Sequence, residues 1–277
     1  MRRASPRHLG ALVASVPVFA FLVVPTLIVV PMAFTGSRYI TFPPQQLSTD
    51  GVTGFFADPA WMSALSASLQ AAGIAMAIAV LLGATAALAL HGRTFPGKAA
   101  VTGLLLAPMI VPAVVMALAF YQFFISLGTV GSVLPIGLAH AVIAVPYAFL
   151  TVRASLAGLN PALVRSASSL GAGAFALMRF VYLPVIRPGL IAGALFAFSV
   201  SIDETVIALF LQSPTAMTLP VKMFTDIQYN LTPKIAVSSA MLVTLATLGL
   251  LVQVCFTIRR RSIARLLPLT AAADQTR

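Results

Sequence analysis

Six carboxylates are spread over the 277-residue chain, and two of them are adjacent: Asp203 and Glu204. They interrupt an otherwise apolar stretch, 188–221. A charge inside hydrocarbon is costly, and it normally faces a cavity or a partner. These two sit about 15 residues into a candidate span at 188–211, so ~22 Å along a helix and in the outer half of a ~30 Å core. Paired acids there suit a translocation path or gate that attracts a cationic solute. A structural link between helices or to a partner subunit is the other reading, and the path or gate is favoured because acids within a span are functional by default. His140 lies in a second apolar run with no acid beside it in sequence, which fits a packing and hydrogen-bonding histidine better than a relay. The remaining acids and three histidines are scattered, and Cys255 is the single cysteine. No catalytic residue, metal set or cofactor site is expected from that inventory.

Gly92-Arg93-Thr94-Phe95-Pro96-Gly97-Lys98-Ala99 nearly matches a phosphate-binding loop. Such a loop needs Ser or Thr where Ala99 stands, to reach magnesium, and it follows a buried strand. Here an apolar span precedes it. A short turn carrying topology-setting charges is expected instead.

What must position these residues is a membrane bundle. Of all residues 60% are hydrophobic and 8% charged, with a formal balance of +11, against roughly a quarter charged in soluble domains. An ordinary soluble enzyme and a disordered chain are both excluded. Residues 8–37, 59–92, 99–152 and 235–258 contain no Asp, Glu, Lys or Arg. A span needs ~20 apolar residues, so six spans are expected: 10–34, 63–90, 100–126, 134–152, 188–211 and 235–258. Gly128, Gly131 and Pro135 mark the turn that divides the longest run. Pro108, Pro112 and Pro146 are candidate kinks. Gly189 and Gly193 form a small-xxx-small pair for close helix approach. The first run is too long for a signal h-region and is expected to be retained.

With the N-terminus in the cytoplasm, fourteen of the seventeen basic residues fall inside. Only Arg38, Lys222 and Lys234 fall outside. The positive-inside rule therefore puts both termini in the cytoplasm. The basic residues cluster at span ends and form no single stripe, so no nucleic-acid partner is implied. Lys222 and Lys234, in the outer segment 212–234, are expected to be solvated or to meet a partner on the outer face, and the outer loop 35–61 to be an exposed connection with Trp61 as its interfacial aromatic anchor.

The inside segment 153–187 patterns as two short amphipathic helices. Asn160-Pro161 is a start, with Asn as cap and Pro at the first helical position. Leu163, Ala167 and Leu170 recur at helical spacing, and Gly171 fits the C-terminus. The second helix runs from about Gly173 to Tyr182, with Leu183-Pro184 as its stop. Such helices either dock another protein or pack against the span ends.

Arg165-Ser166-Ala167-Ser168-Ser169-Leu170-Gly171 followed by Val181-Tyr182-Leu183-Pro184 resembles the cytoplasmic loop of ABC importer permeases: Glu-Ala-Ala, three residues, Gly, nine residues, Ile, any residue, Leu-Pro. The Gly-to-Leu-Pro spacing matches without a gap. Residues 194–211 and 218–240 look like the spermidine/putrescine-type subunits, and the resemblance covers about 62–255. It departs at Arg165, where the family has Glu, and at Ser166, where the family has Ala. Either the ATPase site is recoded, or a second permease subunit makes the standard contact.

The resemblance implies an all-α integral membrane protein in the type I ABC importer permease (MetI-like) fold. Residues 1–61 would be a tail, first span and periplasmic loop, 62–255 the permease domain, and 256–277 a basic cytoplasmic tail. The subunit would sit in the bacterial inner membrane and be no enzyme. It would work with a cytoplasmic ABC ATPase dimer, a second permease subunit and a periplasmic solute-binding protein. Arg165, Ser166, Ala167, Gly171, Leu183 and Pro184 would belong to the ATPase-coupling loop. The solute would be polyamine-like or another small organic molecule. An ion-coupled carrier or channel using Asp203, Glu204 and His140 is the alternative, and it has no need of docking helices at 160–184.

Overall fold

Apolar runs without nearby water have one way to satisfy every backbone N–H and C=O locally, which is to become helices. The computed structural model describes residues 27–37, 42–229 and 231–249, together with the single residues 17, 21, 23, 24 and 251. The expected first span at 10–34 and the basic tail at 256–277 lie largely or wholly outside that set. In chain order the helices are α1 (Asp50–Ala57), α2 (Pro59–Leu90), α3 (Lys98–Leu106), α4 (Ala113–Ser126), α5 (Val133–Leu156), α6 (Pro161–Ser169), α7 (Ala174–Asp203), α8 (Val206–Leu211), α9 (Leu219–Tyr229) and α10 (Pro233–Gly249). Among the described residues α2, α5 and α7 are each long and apolar enough to cross a membrane. The described part of the expected sixth span is α10.

The expected single span at 100–126 is instead a bent pair. Helix α3 runs through a 3₁₀ turn at Ala107–Met109, and α4 then departs at 97°. Pro112 is the cause. It has no N–H to continue the ladder, it disfavours a helical conformation at Val111, and its own ψ of 134° makes it the cap of α4. Pro146, by contrast, lies inside α5, which continues past it.

One compact unit comprises residues 63–221 with the described residues 248, 249 and 251. Helix α5 is its axis: 67% of its most apolar window is buried, against 22% for α2 and 33% for α7. Lipid tails supply no hydrophobic drive between helices, so small residues that admit close contact must hold them. A Cβ on Gly83 of α2 would lie 2.7 Å from Phe149 N, and one on Gly137 of α5 would lie 2.8 Å from Ile74 Cβ. A Cβ on Gly189 of α7 would lie 2.6 Å from both Ser155 Oγ and Thr151 O. One on Gly193 would lie 2.8 Å from Thr151 Oγ1. Buried alanines continue the seam: Ala79 of α2, Ala144 and Ala148 of α5, and Ala197 of α7. At one end of α5, the short α8 inserts Ile207, Ala208 and Leu211 among Ala117 and Phe124 of α4 and Ile136 and Ile143 of α5. Leu81, Leu104 and Val114 are exposed, as a lipid-facing surface requires.

The other unit comprises the described residues within 1–62 and 222–247. Trp61, expected as an interfacial anchor, is 2% accessible and packed inside it. The Phe55 ring packs 5.5 Å from it, and Lys222 Nζ sits 5.1 Å above its face. Lys222 and Lys234 are not simply solvated either. Lys222 pairs with Asp226 at 2.7 Å and Lys234 with Asp58 at 2.6 Å. Asp58 also accepts from Ala60 N at 2.9 Å, capping the start of α2. The hydrogen bond from Lys234 holds the Asp58 carboxyl below the usual carboxylate range, with burial opposing it weakly.

Gly189→Ala is expected to lower stability by about 1–3 kcal/mol through overpacking. Gly73→Ala, with nothing within 4 Å of the new atom, should not; thermal unfolding in detergent compares the two. Because the folded Asp58 is depressed, its contribution is full above the unfolded value of about 3.9 and is lost as pH falls through the lower folded value. Asp58→Asn should therefore cost less than about 1 kcal/mol at neutral pH. The gap to wild type should close on acidification, read by the same melts.

Candidate functional site

The fifth expected span is not continuous. Helix α7 ends at Asp203, Glu204 takes an extended conformation (φ −73°, ψ 113°), and α8 begins at Val206. The break has a cap of its own. Glu204 Oε1 accepts from Ile207 N at 2.8 Å, satisfying one of the orphan N–H groups that open α8. Thr205 Oγ1 donates to Asp203 O at 3.3 Å. The two neighbouring acids thus differ. Glu204 is half-buried with one oxygen engaged, whereas Asp203 is exposed. Among the described residues neither pairs with a basic side chain. The last carbonyls of α7 have no helical N–H ahead of them, and a helix C-terminus carries partial negative charge.

His140 of α5 is fully buried, and its Nδ1 lies 2.8 Å from Ser201 Oγ on α7. This bond ties α7 to the axial helix two residues before the break. The packing and hydrogen-bonding role expected of His140 has that contact behind it. Ser201 was not singled out from sequence, because nothing local relates residues 61 positions apart. Ser68 was likewise missed: its Oγ accepts from Leu219 N at 2.7 Å, fixing the start of α9.

The segment 160–184 is organised by its caps. Asn160 Oδ1 accepts from Ala162 N at 2.9 Å, with Pro161 at the first position of α6. Gly171 closes α6 at φ 86°, where an L side chain would be strained. Ala172 N donates to Ala167 O and Gly171 N to Ser168 O, each at 3.0 Å, the paired bonds of a Schellman motif. Arg165 and Ser166 are exposed on α6. Val164 and Ala167 pack inward with Leu177, Tyr182 and Leu183 against Val152, Leu156 and Val181. Leu163 and Leu170 therefore do not share the inward face with Ala167. They are exposed, as are Phe175 and Phe180. The second helix does not stop at Leu183-Pro184. A π-helical stretch at Met178–Tyr182 precedes Leu183-Pro184 and carries the chain past the proline's missing N–H. Residues 174–203 form one 30-residue helix.

Residues 92–98 join α2 to α3 as a turn with Gly92 at φ 63° and Gly97 at φ 88°. Lys98 Nζ donates back to Arg93 O at 2.7 Å, and a helix precedes the turn instead of a strand. It has none of the architecture of a phosphate-binding loop.

An all-helical bundle with a broken span and a capped loop at its end is the architecture of a transport permease. The family model for binding-protein-dependent transport system inner membrane components matches residues 79–265, and the chain belongs to that family. It is 28% identical over 230 residues to the spermidine/putrescine transport system permease protein PotC of Escherichia coli, covering 83% of this chain and 86% of the relative. It is 32% identical over 225 residues to the putrescine transport system permease protein PotI of the same organism, covering 78% and 79%. The molybdenum transport system permease protein ModB of Escherichia coli is 31% identical over 193 residues, 62% of this chain and 81% of the relative. Among solved structures, a bacterial ABC transporter that imports the acidic polysaccharide alginate matches with a TM-score of 0.68 at 13% identity, over 93% of this chain and 98% of that one. The chain is a multi-pass inner-membrane permease subunit of an ABC importer. The alternative of an ion-coupled carrier is set aside by that membership.

Glu204→Gln keeps an oxygen for Ile207 N and removes the charge, whereas Glu204→Ala removes both. The Ala variant is expected to lose about 1 kcal/mol of stability and the Gln variant much less. Thermal melts of the two separate cap from charge.

Proposed function

We propose that this subunit conducts a small organic cation of the polyamine kind, delivered by a periplasmic solute-binding protein. The permease domain is taken as 62–255, and both termini are cytoplasmic, as the distribution of Lys and Arg supports. The observation that carries the solute class is the exposed Asp203 carboxylate at the open C-terminal end of α7, with no basic partner among the described residues. The names of two relatives agree with a polyamine. The molybdenum relative shows that the same family also serves a different solute class, and two acids at the break favour the cation here. Asp203 is the principal attracting group. Glu204 supports it while holding the cap.

Two cytoplasmic ATPases and a second permease subunit complete the importer. Arg165, Ser166, Ala167, Gly171, Leu183 and Pro184 lie in the segment that receives the ATPase. The exposed Leu163, Leu170 and Phe175 supply apolar contact there, and the Schellman end makes α6 a stiff lever. Because 174–203 is one helix, ~45 Å long at 1.5 Å per residue, a push at its cytoplasmic end is carried directly to the break. Alternating access then follows as rigid-body rocking. Nucleotide binding and hydrolysis in the ATPases supply the free energy.

Uptake of labelled spermidine or putrescine into vesicles holding the whole importer tests this. Asp203→Asn should lower uptake on the order of tenfold or more, as expected for loss of a contact to a charged group, with the assembled complex still intact. Unchanged uptake by Asp203→Asn would defeat the path role.

A further inference from the structure

Where α2 ends, where α3 begins and where α5 reaches its last turn, a cavity of about 110 Å³ opens. Its polar wall is His91, Lys98, Thr102 and Arg153, and Phe149 lies on its apolar side. We propose that this cavity holds the phosphate of an anionic phospholipid headgroup.

Two cations, Lys98 and Arg153, line the cavity, and no described carboxylate pairs with either. Five of the chain's six acids are described, and the ion pairs among them join Asp58 to Lys234 and Asp226 to Lys222. Donors remain to be satisfied. An ammonium has three N–H groups, and Lys98 spends one on Arg93 O. The Arg153 guanidinium carbon lies 5.9 Å over the Phe149 ring, and a guanidinium carries five N–H donors. The Thr102 hydroxyl donates to Lys98 O, so it adds no donor. The cavity also borders the first turn of α3, the positive end of that helix. The volume is that of about four waters, enough for a phosphate group.

The surroundings point to a lipid as the source of that phosphate. The cavity sits at the ends of apolar helices, the level at which hydrocarbon gives way to headgroups. Beside it α3 exposes Val101 and Leu104, at 43% and 76% accessibility. Acyl chains can lie along that surface while the headgroup enters the cavity, whereas a free phosphate would use the polar wall alone. Basic pockets between spans are a recognised mode of headgroup binding. The assignment rests on the proposed topology only for the leaflet, which is then the cytoplasmic one.

The test is native mass spectrometry of the full chain purified with its ATPase and second permease, with phosphatidylglycerol titrated in. Lys98→Gln and Arg153→Gln should each lower retained lipid about fivefold and the double variant about twentyfold. Lys222→Gln, in the other unit, should change nothing. Equal retention by wild type and an assembled double variant would overturn the site. So would displacement of the lipid by inorganic phosphate at equal concentration, which would make the free ion the ligand. If the wild-type chain retains the lipid but never assembles with an ATPase, the importer assignment falls while the headgroup site stands.

Discussion

Contact between backbones, which only missing side chains allow, is what the rest of this bundle depends on. In hydrocarbon, helices gain little by burying apolar surface against one another, so they must touch closely to gain dispersion. Gly83, Gly137, Gly189 and Gly193 bring α2 and α7 against α5 at separations that a Cβ would violate. The alanine seam of Ala79, Ala144, Ala148 and Ala197 extends that contact. Every polar feature of the spans is built on this frame. The His140–Ser201 bond forms because α5 and α7 are already within reach.

The fifth span gives up helical hydrogen bonding at Glu204. A broken helix at membrane depth is tolerable only if its free backbone groups find partners or line a cavity. Glu204 supplies a partner at the start of α8, and Ile207, Ala208 and Leu211 anchor that short helix in the core. At the opposite end Thr205 Oγ1 donates to Asp203 O, while the Asp203 side chain is exposed. Two adjacent acids with one charge type thereby acquire different surroundings, and the difference arises from the chain's turn at Glu204.

The same contrast between rigid and open runs through 160–184. Its inner face is packed against α5 and the start of α7, while its outer face keeps Leu163, Leu170 and Phe175 uncovered. Of the two expectations for this segment, packing against the span ends is what its inner face does, and docking of an ATPase is what we propose for the exposed one. A helix that leaves this segment and runs unbroken to Asp203 joins the outer face to the break mechanically.

Composition, charge-free runs and the Gly171 to Leu183-Pro184 spacing were enough to identify an α-helical membrane permease. Those properties are local, additive along the chain and set by the bilayer itself. Asn160 as a cap and Gly171 as a helix terminator were legible for the same reason, since capping involves only neighbours within a turn. Pro112 was legible as a candidate kink, but its 97° size was not, and neither were the burial of Trp61, the passage of the helix through Pro184 and the interruption at Glu204. A proline is compatible with a kink, a cap or a continuing helix, and the backbone's choice depends on what packs against it. The pairings Asp58–Lys234, His140–Ser201 and Lys98 beside Arg153 join residues far apart in sequence. Only the close packing of separate helices decides which polar groups meet.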